Sequence, residues 1–189
     1  MYPDQHNYLK HHGIKGQKWG VRRYQNKDGS RTAAGISRRR ATSAARTKES
    51  VDAIYTAMSR QDKYFLGDDE PGKEYLSVQQ GEYVVKRFLD KEGDIPVAFL
   101  DIMSTTKSDE LTVAIGTHPA YRNQGRAERL AVKGVDWFNK NADRLGVTTL
   151  DWDAKTTNSG SRKLAEKVGF SYDARDSDDE WAAYRYRRQ

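Results

Sequence analysis

Apolar positions are sparse over the first 48 residues and then fall into runs whose period switches between 3.6 and 2. Val51, Ile54, Tyr55 and Met58 stand at i, i+3, i+4 and i+7, which predicts an amphipathic helix over 49–64. Gly67 to Gly72, with Pro71 between, closes it. Strand-like stretches follow at Tyr83–Leu89 and Ile95–Met103, with Glu92-Gly93-Asp94 as a hairpin turn. A third strand, Leu111–Ile115, comes after the polar turn Thr105–Asp109, so the three form an antiparallel meander. Ala127, Leu130, Ala131, Gly134, Val135 and Phe138 then share one face of a long helix. Val147–Asp153 reads as a strand. Asn158 caps a helix with Ser161, Leu164, Ala165 and Val168 inward, Gly169 stops it, and Phe170 returns to the core. The remainder, Phe170–Arg175 and Trp181–Tyr186, reads as a terminal hairpin around the acidic loop Asp176–Glu180.

Composition narrows what such a chain can do. With 189 residues there is room for one domain plus an appendage. No run approaches the ~18 apolar residues of a membrane span, and the first 30 residues hold no apolar signal-peptide centre. The absence of cysteine excludes a disulfide scaffold, thiol catalysis and cysteine-based zinc sites, and makes a reducing compartment the default. The formal charge of +6 is unevenly placed: residues 1–48 carry twelve Lys/Arg against two Asp/Glu, and the rest twenty-one against twenty-five. A basic arm is thus joined to a mildly acidic body, a division that suits an anionic partner for the arm, nucleic acid or an acidic protein surface.

The arm, 1–48, is interrupted by Gly13, Gly16, Gly20, Gly29 and Gly35 and has too little apolar area to fold alone. Trp19, Val21 and Tyr24 among Lys15, Lys18, Arg22 and Arg23 could stack on bases or dock in a groove. Asn26 to Ser30 reads as a turn, and the basic, alanine-rich 38–46 as a linker or nascent helix. His6, His11 and His12 lack further ligands at a recognisable spacing, so no metal site is expected. His12-Gly13-Ile14-Lys15-Gly16-Gln17-Lys18-Trp19-Gly20-Val21-Arg22-Arg23-Tyr24-Gln25-Asn26, followed by Asp28-Gly29-Ser30, resembles a short segment that recurs in virion-associated proteins of tailed bacteriophages, beside unrelated domains. The resemblance implies a phage or prophage origin, a place in the host cytoplasm or the virion, and a docking or packaging role.

The most informative stretch runs from the strand ending at Ile115 through Thr117-His118-Pro119-Ala120-Tyr121 into Arg122-Asn123-Gln124-Gly125-Arg126-Ala127 and the long helix. Small side chains at Gly125 and Ala127 let the backbone approach a ligand, and a helix N-terminus presents N–H groups that favour phosphate. Arg122, Arg126 and Arg129 would add charge-assisted donors. An ordinary strand-to-helix turn is the competing reading of the same pattern.

His118 to Ala127 resembles the pyrophosphate loop, R/Q-x-x-G-x-G/A, of the GNAT superfamily of acyl-CoA-dependent N-acyltransferases, through Arg122, Gly125 and Ala127. Asn158 through Leu164 to Gly169-Phe170 is similar to that family's later N-x-x-A…L-Y-x-K-x-G-F segment, and the resemblance covers roughly 50–187. It implies an α/β (α+β) fold, with a central mixed, mostly antiparallel sheet flanked by helices, and here an irregular basic N-terminal arm. It also implies acetyl-CoA as co-substrate, its pyrophosphate on the N–H groups of Gln124–Ala127 and its pantetheine along Val113–Ile115, with Asn123, Arg126 and Asn158 in the same site. A carboxylate base or water chain would neutralise the attacking amine. Asp109 and Glu110 are first candidates, Asp151 and Asp153 second. Where the family often has a tyrosine as general acid this chain has Ala165; Tyr121, Tyr172 or Tyr184 could substitute. The leading expectation is an acetyltransferase acting on an amine of a macromolecule or a small amine, with the acidic loop suiting a cationic acceptor. A virion-associated scaffold with a catalytically weak GNAT fold is the alternative, its basic arm docking to a virion protein or nucleic acid.

Overall fold

A computed structural model describes residues 26, 28, 30–67 and 83–188, and for 38–48 the backbone alone. The chain divides into two units, Met1–Thr47 and Lys48–Gln189. In the first, the expected turn is present: Asn26 N–H donates to Ser30 O at 2.7 Å, and Asp28 Oδ1 accepts from Ser30 N–H at 2.9 Å. Thr32 Oγ1 then accepts the Gly35 N–H at 3.2 Å and caps α1, Ala33–Thr56. The helix thus begins well before residue 49, where the apolar stripe would start it, and the arm is not irregular throughout. Residues 33–48 are rich in alanine and arginine, strong helix formers that leave no amphipathic signature to read. The aromatic-cation cluster at 15–24 and the three histidines lie outside the described residues.

In the second unit the expected helix over 49–64 is two helices. Ser59 Oγ accepts the Asp62 N–H at 3.1 Å while Asp62 Oδ2 accepts the Ser59 N–H at 3.0 Å. This reciprocal capping box opens α2, Arg60–Phe65, and turns the chain after α1. Gly67, at φ +85°, ends α2 in a conformation that suits glycine.

Among the described residues six strands follow: β1 (Val84–Glu92), β2 (Ile95–Ser104), β3 (Glu110–Thr117), β4 (Thr149–Lys155), β5 (Ser171–Tyr172) and β6 (Trp181–Arg187). They form one sheet in the order β1-β2-β3-β4-β6-β5. Every pairing is antiparallel except β3–β4, which α3 (Arg126–Leu145) joins as a parallel crossover. α4, Ser159–Lys167, follows β4, with Asn158 Oδ1 accepting the Ser161 N–H at 3.1 Å as the sequence predicts. This is the mixed, mostly antiparallel sheet with flanking helices that the sequence implied.

Alternation along the strands divides the core in two. Leu100, Ile102, Leu111, Val113, Leu150, Trp152 and Tyr184 pack with Leu130 and Phe138 of α3 and Ala165 of α4. On the opposite face Phe99 packs with Val51, Ile54, Tyr55 and Met58. That face also carries buried charge: Asp101 is held by Arg87 through two hydrogen bonds, 2.6 and 2.5 Å, and Asp151 lies beside Arg185. Burial pushes the Asp101 carboxyl above its usual range, against the pull of Arg87. Among the described residues no helix is long and apolar enough to cross a membrane.

One close approach joins this second apolar layer to β3. A Cβ on Gly116 would lie 2.5 Å from Phe99 Cε1 and 2.7 Å from Met58 Cε, both impossible without repacking. Gly116→Ala should therefore destabilise the protein by about 1–3 kcal/mol, read as a lower urea midpoint at unchanged slope.

Candidate functional site

The β3–β4 ladder covers three residue pairs, Glu110↔Thr149, Leu111↔Leu150 and Thr112↔Asp151. Each strand continues with its outer neighbour: β3 pairs with β2 to Thr117, and β4 with β6 to Lys155. Beyond Thr112 and Asp151 the two central strands part, leaving a cleft in the middle of the sheet. A cavity of about 510 Å³ fills it, bounded by Val113 to Thr117 on one side and by Trp152 and Asp153 on the other. Adjacent strand residues face opposite sides of a sheet, so the cleft opens to both. Polar main-chain groups along the inner edge of β3 there have no strand partner.

At the far end of β3, Pro119–Tyr121 forms a 3-10 turn, and Asn123 and Gly125 both adopt positive φ, +59° and +68°. The first bond into α3 is Arg129 N–H to Gly125 O at 3.0 Å. Among the described residues, no protein acceptor meets the main-chain N–H groups of residues 123–128. This loop and helix terminus offer a set of amide donors at the mouth of the cleft, with the positive end of the helix dipole behind them.

The arginines behave differently from the expectation that all three serve an anion. Arg126 is buried and donates to Asp90 Oδ2 at 3.1 Å, to Gln124 Oε1 at 3.0 Å and to Glu92, so its side chain ties the loop to the β1–β2 hairpin. Arg129 donates to Gln124 O at 2.9 Å. Arg122 pairs with Asp62 Oδ2 at 2.9 Å, linking the loop to α2. Burial pushes Asp62 up, but hydrogen bonds from Arg122 and Ser59 outweigh it and hold the carboxyl below its usual range.

Of the expected cofactor residues, Val113, Ile115, Arg122, Asn123, Gly125, Arg126, Ala127 and Asn158 line the cavity, and Gln124 does not. None of Asp109, Glu110 and Tyr172 is in its wall. Asp109 sits in the turn before β3, where its carbonyl accepts the N–H groups of Thr148 and Thr149 at 2.8 and 3.3 Å. Glu110 is paired with Lys107 at 3.0 Å. Tyr172, on the edge strand, is exposed and meets the Tyr184 ring edge-on, the centroids 5.6 Å apart. Tyr184 is wholly buried, accepting from Arg162 Nε at 3.2 Å. Ala165 is buried against the sheet, while one turn earlier Ser161 reaches the cavity and accepts the Trp152 Nε1–H at 2.9 Å.

Of the second-choice carboxylates one reaches the cavity, while Asp151, like Glu110, is not in its wall. Asp153 lines the cavity, and Asp151 points to the same side of β4 from the last rung before the strands part. Asp151 is almost wholly buried. Arg185 Nε stands 3.1 Å from its Oδ1, yet no donor is directed at that oxygen. Burial, opposed by Arg185 and reinforced by the neighbouring Glu110 and Asp153, raises Asp151 to about 7. Sequence reasoning missed the wall contributed by Met58, Phe65, Leu66 and Trp181, which have no local pattern in common and meet only when α2 folds across the sheet.

The GNAT acetyltransferase domain family matches residues 21–171, and a family of unknown function, DUF7211, matches residues 3–26. No curated protein matches the chain. Among solved structures, the chain is similar to the GNAT domain of PAT from S. lividans, at 16% identity, over 74% of this chain and 84% of that one, with a TM-score of 0.55. A GNAT-family acetyltransferase from Bacillus anthracis is similar over 74% of this chain and 87% of that one, at 14% identity and a TM-score of 0.51. A putative acetyltransferase from Salmonella typhimurium, solved with acetyl-CoA, matches 55% of this chain at 14% identity and a TM-score of 0.44. This chain spans 64% of that protein's length.

Asp151 also sets a pH dependence of stability. Its carboxyl titrates at about 7 in the folded chain and near 3.8 when unfolded. Its contribution is therefore fully present below the unfolded value and is lost as pH rises through about 7. Asp151→Asn, which cannot ionise, should gain thermal stability relative to wild type between pH 5 and pH 8, and melting curves at both ends check this.

Proposed function

The chain belongs to the GNAT acetyltransferase family, and from that footing we propose that it is an acetyl-CoA-dependent N-acetyltransferase that modifies an amine. The observation that carries this reading is the parted pair β3–β4, whose unpaired edge leads to a loop whose main-chain N–H groups, 123–128, meet no acceptor among the described residues. A pyrophosphate suits those donors, and an extended amide-containing arm suits the edge of β3 at Val113–Ile115, where it would complete the interrupted ladder. Gly125 leaves the mouth open: its φ of +68° disfavours any side chain, and a Cβ there would approach Arg129 Nη1 to 3.4 Å. Asn123, Arg126 and Ala127 serve through their main chain, Arg122 through its position at the rim, and Asn158 by fixing the start of α4.

Acetyl-CoA, when bound, supplies a thioester carbonyl activated for acyl transfer. The acceptor nitrogen forms the new C–N bond as the C–S bond breaks, and the nitrogen must shed a proton. We assign Asp151 as the base, ahead of Glu110 and Asp109, since it stands at the vertex of the cleft with an undonated oxygen and titrates near neutrality. Burial first, then the charge of Glu110 and its side-chain hydrogen bond, keep that pKa high. With Ala165 lacking a hydroxyl, proton delivery to the leaving sulfur falls to the hydroxyl-bearing residues that line the cavity, Thr117, Tyr121 and Ser161. The resemblance of residues 12–26 to a virion-associated segment supports a phage or prophage origin.

The buried Ala165 favours one other reading, a scaffold that has lost turnover and acts through its arm. Calorimetric titration of acetyl-CoA into the full chain separates the two. We expect micromolar affinity, reduced by at least about tenfold in Gly125→Glu, which places a strained side chain and a negative charge at the mouth. No binding at millimolar acetyl-CoA would remove the enzyme reading. In the active protein kcat/KM should rise with pH through about 7, and Asp151→Asn should abolish that limb while lowering kcat by about 10²–10⁴.

A further inference from the structure

The cavity has a second end, on the α1–α2 side of the sheet, formed by Met58, Phe65, Leu66, Trp181 and Asp153. We infer that this end is the acceptor subsite and that it selects a primary amine carried on an apolar, preferably aromatic, group, the amine toward Asp153 and the apolar group between Phe65, Leu66 and Trp181. The inference rests on the acetyltransferase reading above and names its substrate class.

Three observations lead to it. The first is the orientation of charge. Arg185 is shared by Asp151, Asp153 and Asp176, at 3.1, 3.0 and 3.0 Å, so the cluster beside the cavity keeps an excess of negative charge. Asp153 is half exposed there, while Asp151 behind it is buried with an undonated oxygen. An ammonium is attracted to that side and finds a proton acceptor there.

The second is the state of Trp181. The buried Lys155 ammonium lies 3.9 Å from the Trp181 ring centroid and 4.2 Å from that of Tyr64. Glu180 pairs with the same ammonium and accepts the Tyr64 hydroxyl at 3.1 Å, which fixes the group in place. A cation is thus already seated against the indole, and a second one on the ring would be repelled by it. What Trp181 can offer the cavity is apolar contact. The end of α2 closes on the same ring, since a Cβ on Gly67 would touch Trp181 Cη2 at 3.6 Å.

The third concerns polycations, which the acidic loop 176–180 had suggested. Asp176 is bound by Arg185, Glu180 by Lys155, and Asp178 by the N–H groups of Glu180 and Trp181 at 2.8 and 2.6 Å. Asp62, the other carboxylate in the cavity wall on this side, is taken by Arg122. Asp153 shares Arg185 with Asp151 and Asp176 and so keeps charge for one ammonium, whereas Asp62 of this wall has an arginine of its own; with Asp176, Asp178 and Glu180 of the loop also engaged, a chain of evenly spaced cations finds a single site here.

Steady-state thiol release from acetyl-CoA by the full chain tests this with phenethylamine, methylamine and spermidine as acceptors. We expect kcat/KM for phenethylamine to exceed that for either of the others by about tenfold or more, the usual discrimination of an apolar pocket. Trp181→Ala should raise KM for phenethylamine by about tenfold, with acetyl-CoA affinity by calorimetry certifying that the variant is folded. Should Trp181→Ala fail to fold, Phe65→Ala carries the same expectation. A preference for spermidine, or a phenethylamine KM that neither variant moves, overturns the inference while acetyl-CoA binding still stands. Absence of acetyl-CoA binding to the wild type overturns both this inference and the reading on which it rests.

Discussion

The separation of β3 from β4 after three residue pairs is the constraint on which the rest depends. Two adjacent central strands that stop bonding leave polar main chain unsatisfied in the middle of a domain, an arrangement that costs stability unless something else supplies partners. Here the long antiparallel ladders on the outer sides, β2–β3 and β4–β6, hold each strand in place independently. The cleft is therefore a stable defect. It also makes the chemistry compact, because a residue on one strand face and its neighbour on the other both border the same opening, as Trp152 and Asp153 do.

Charge is arranged around that opening with little left over. The side chains of Arg126 and Arg129 are occupied with Asp90 and the loop main chain, which ties down the N-terminus of α3. Arg122 joins the same loop to Asp62 of α2, so the loop before α3 and the α2 wall of the cavity are linked through an ion pair. On the far side, burial and two neighbouring carboxylates outweigh Arg185 and bring Asp151 to near-neutral titration. A group in that condition is unfavourable for folding at high pH, and it is the kind of group proton transfer requires.

Much of this was legible in the chain. The period of apolar positions located the strands, α3 and α4, because each has one face in a core and the pattern records that face. Gly125 and Asn158 were legible because backbone conformation and capping are local matters, decided by the residue itself and three or four neighbours. The start of α1 was hidden, since Ala33 to Lys48 form helix by propensity and carry no apolar stripe. The break at Ser59 had a local signal, Ser59-x-x-Asp62, that the run of apolar positions overrode.

What the sequence determined by itself was the set of elements, their order, and the glycine-containing loop that opens α3, all consequences of interactions a few residues long. Tertiary structure decided which carboxylate titrates near neutrality and what lines the cavity beside it. Glu110 and Asp109 hold the position that the order of elements favours, yet a carboxyl's acidity depends on burial and on charges brought from β4, β6 and the loop before β6, none of them near in sequence. The apolar wall has the same character. Met58, Phe65, Leu66 and Trp181 come from α2, its flanking turns and the last strand, and only the packing of a helix across a sheet places them on one surface.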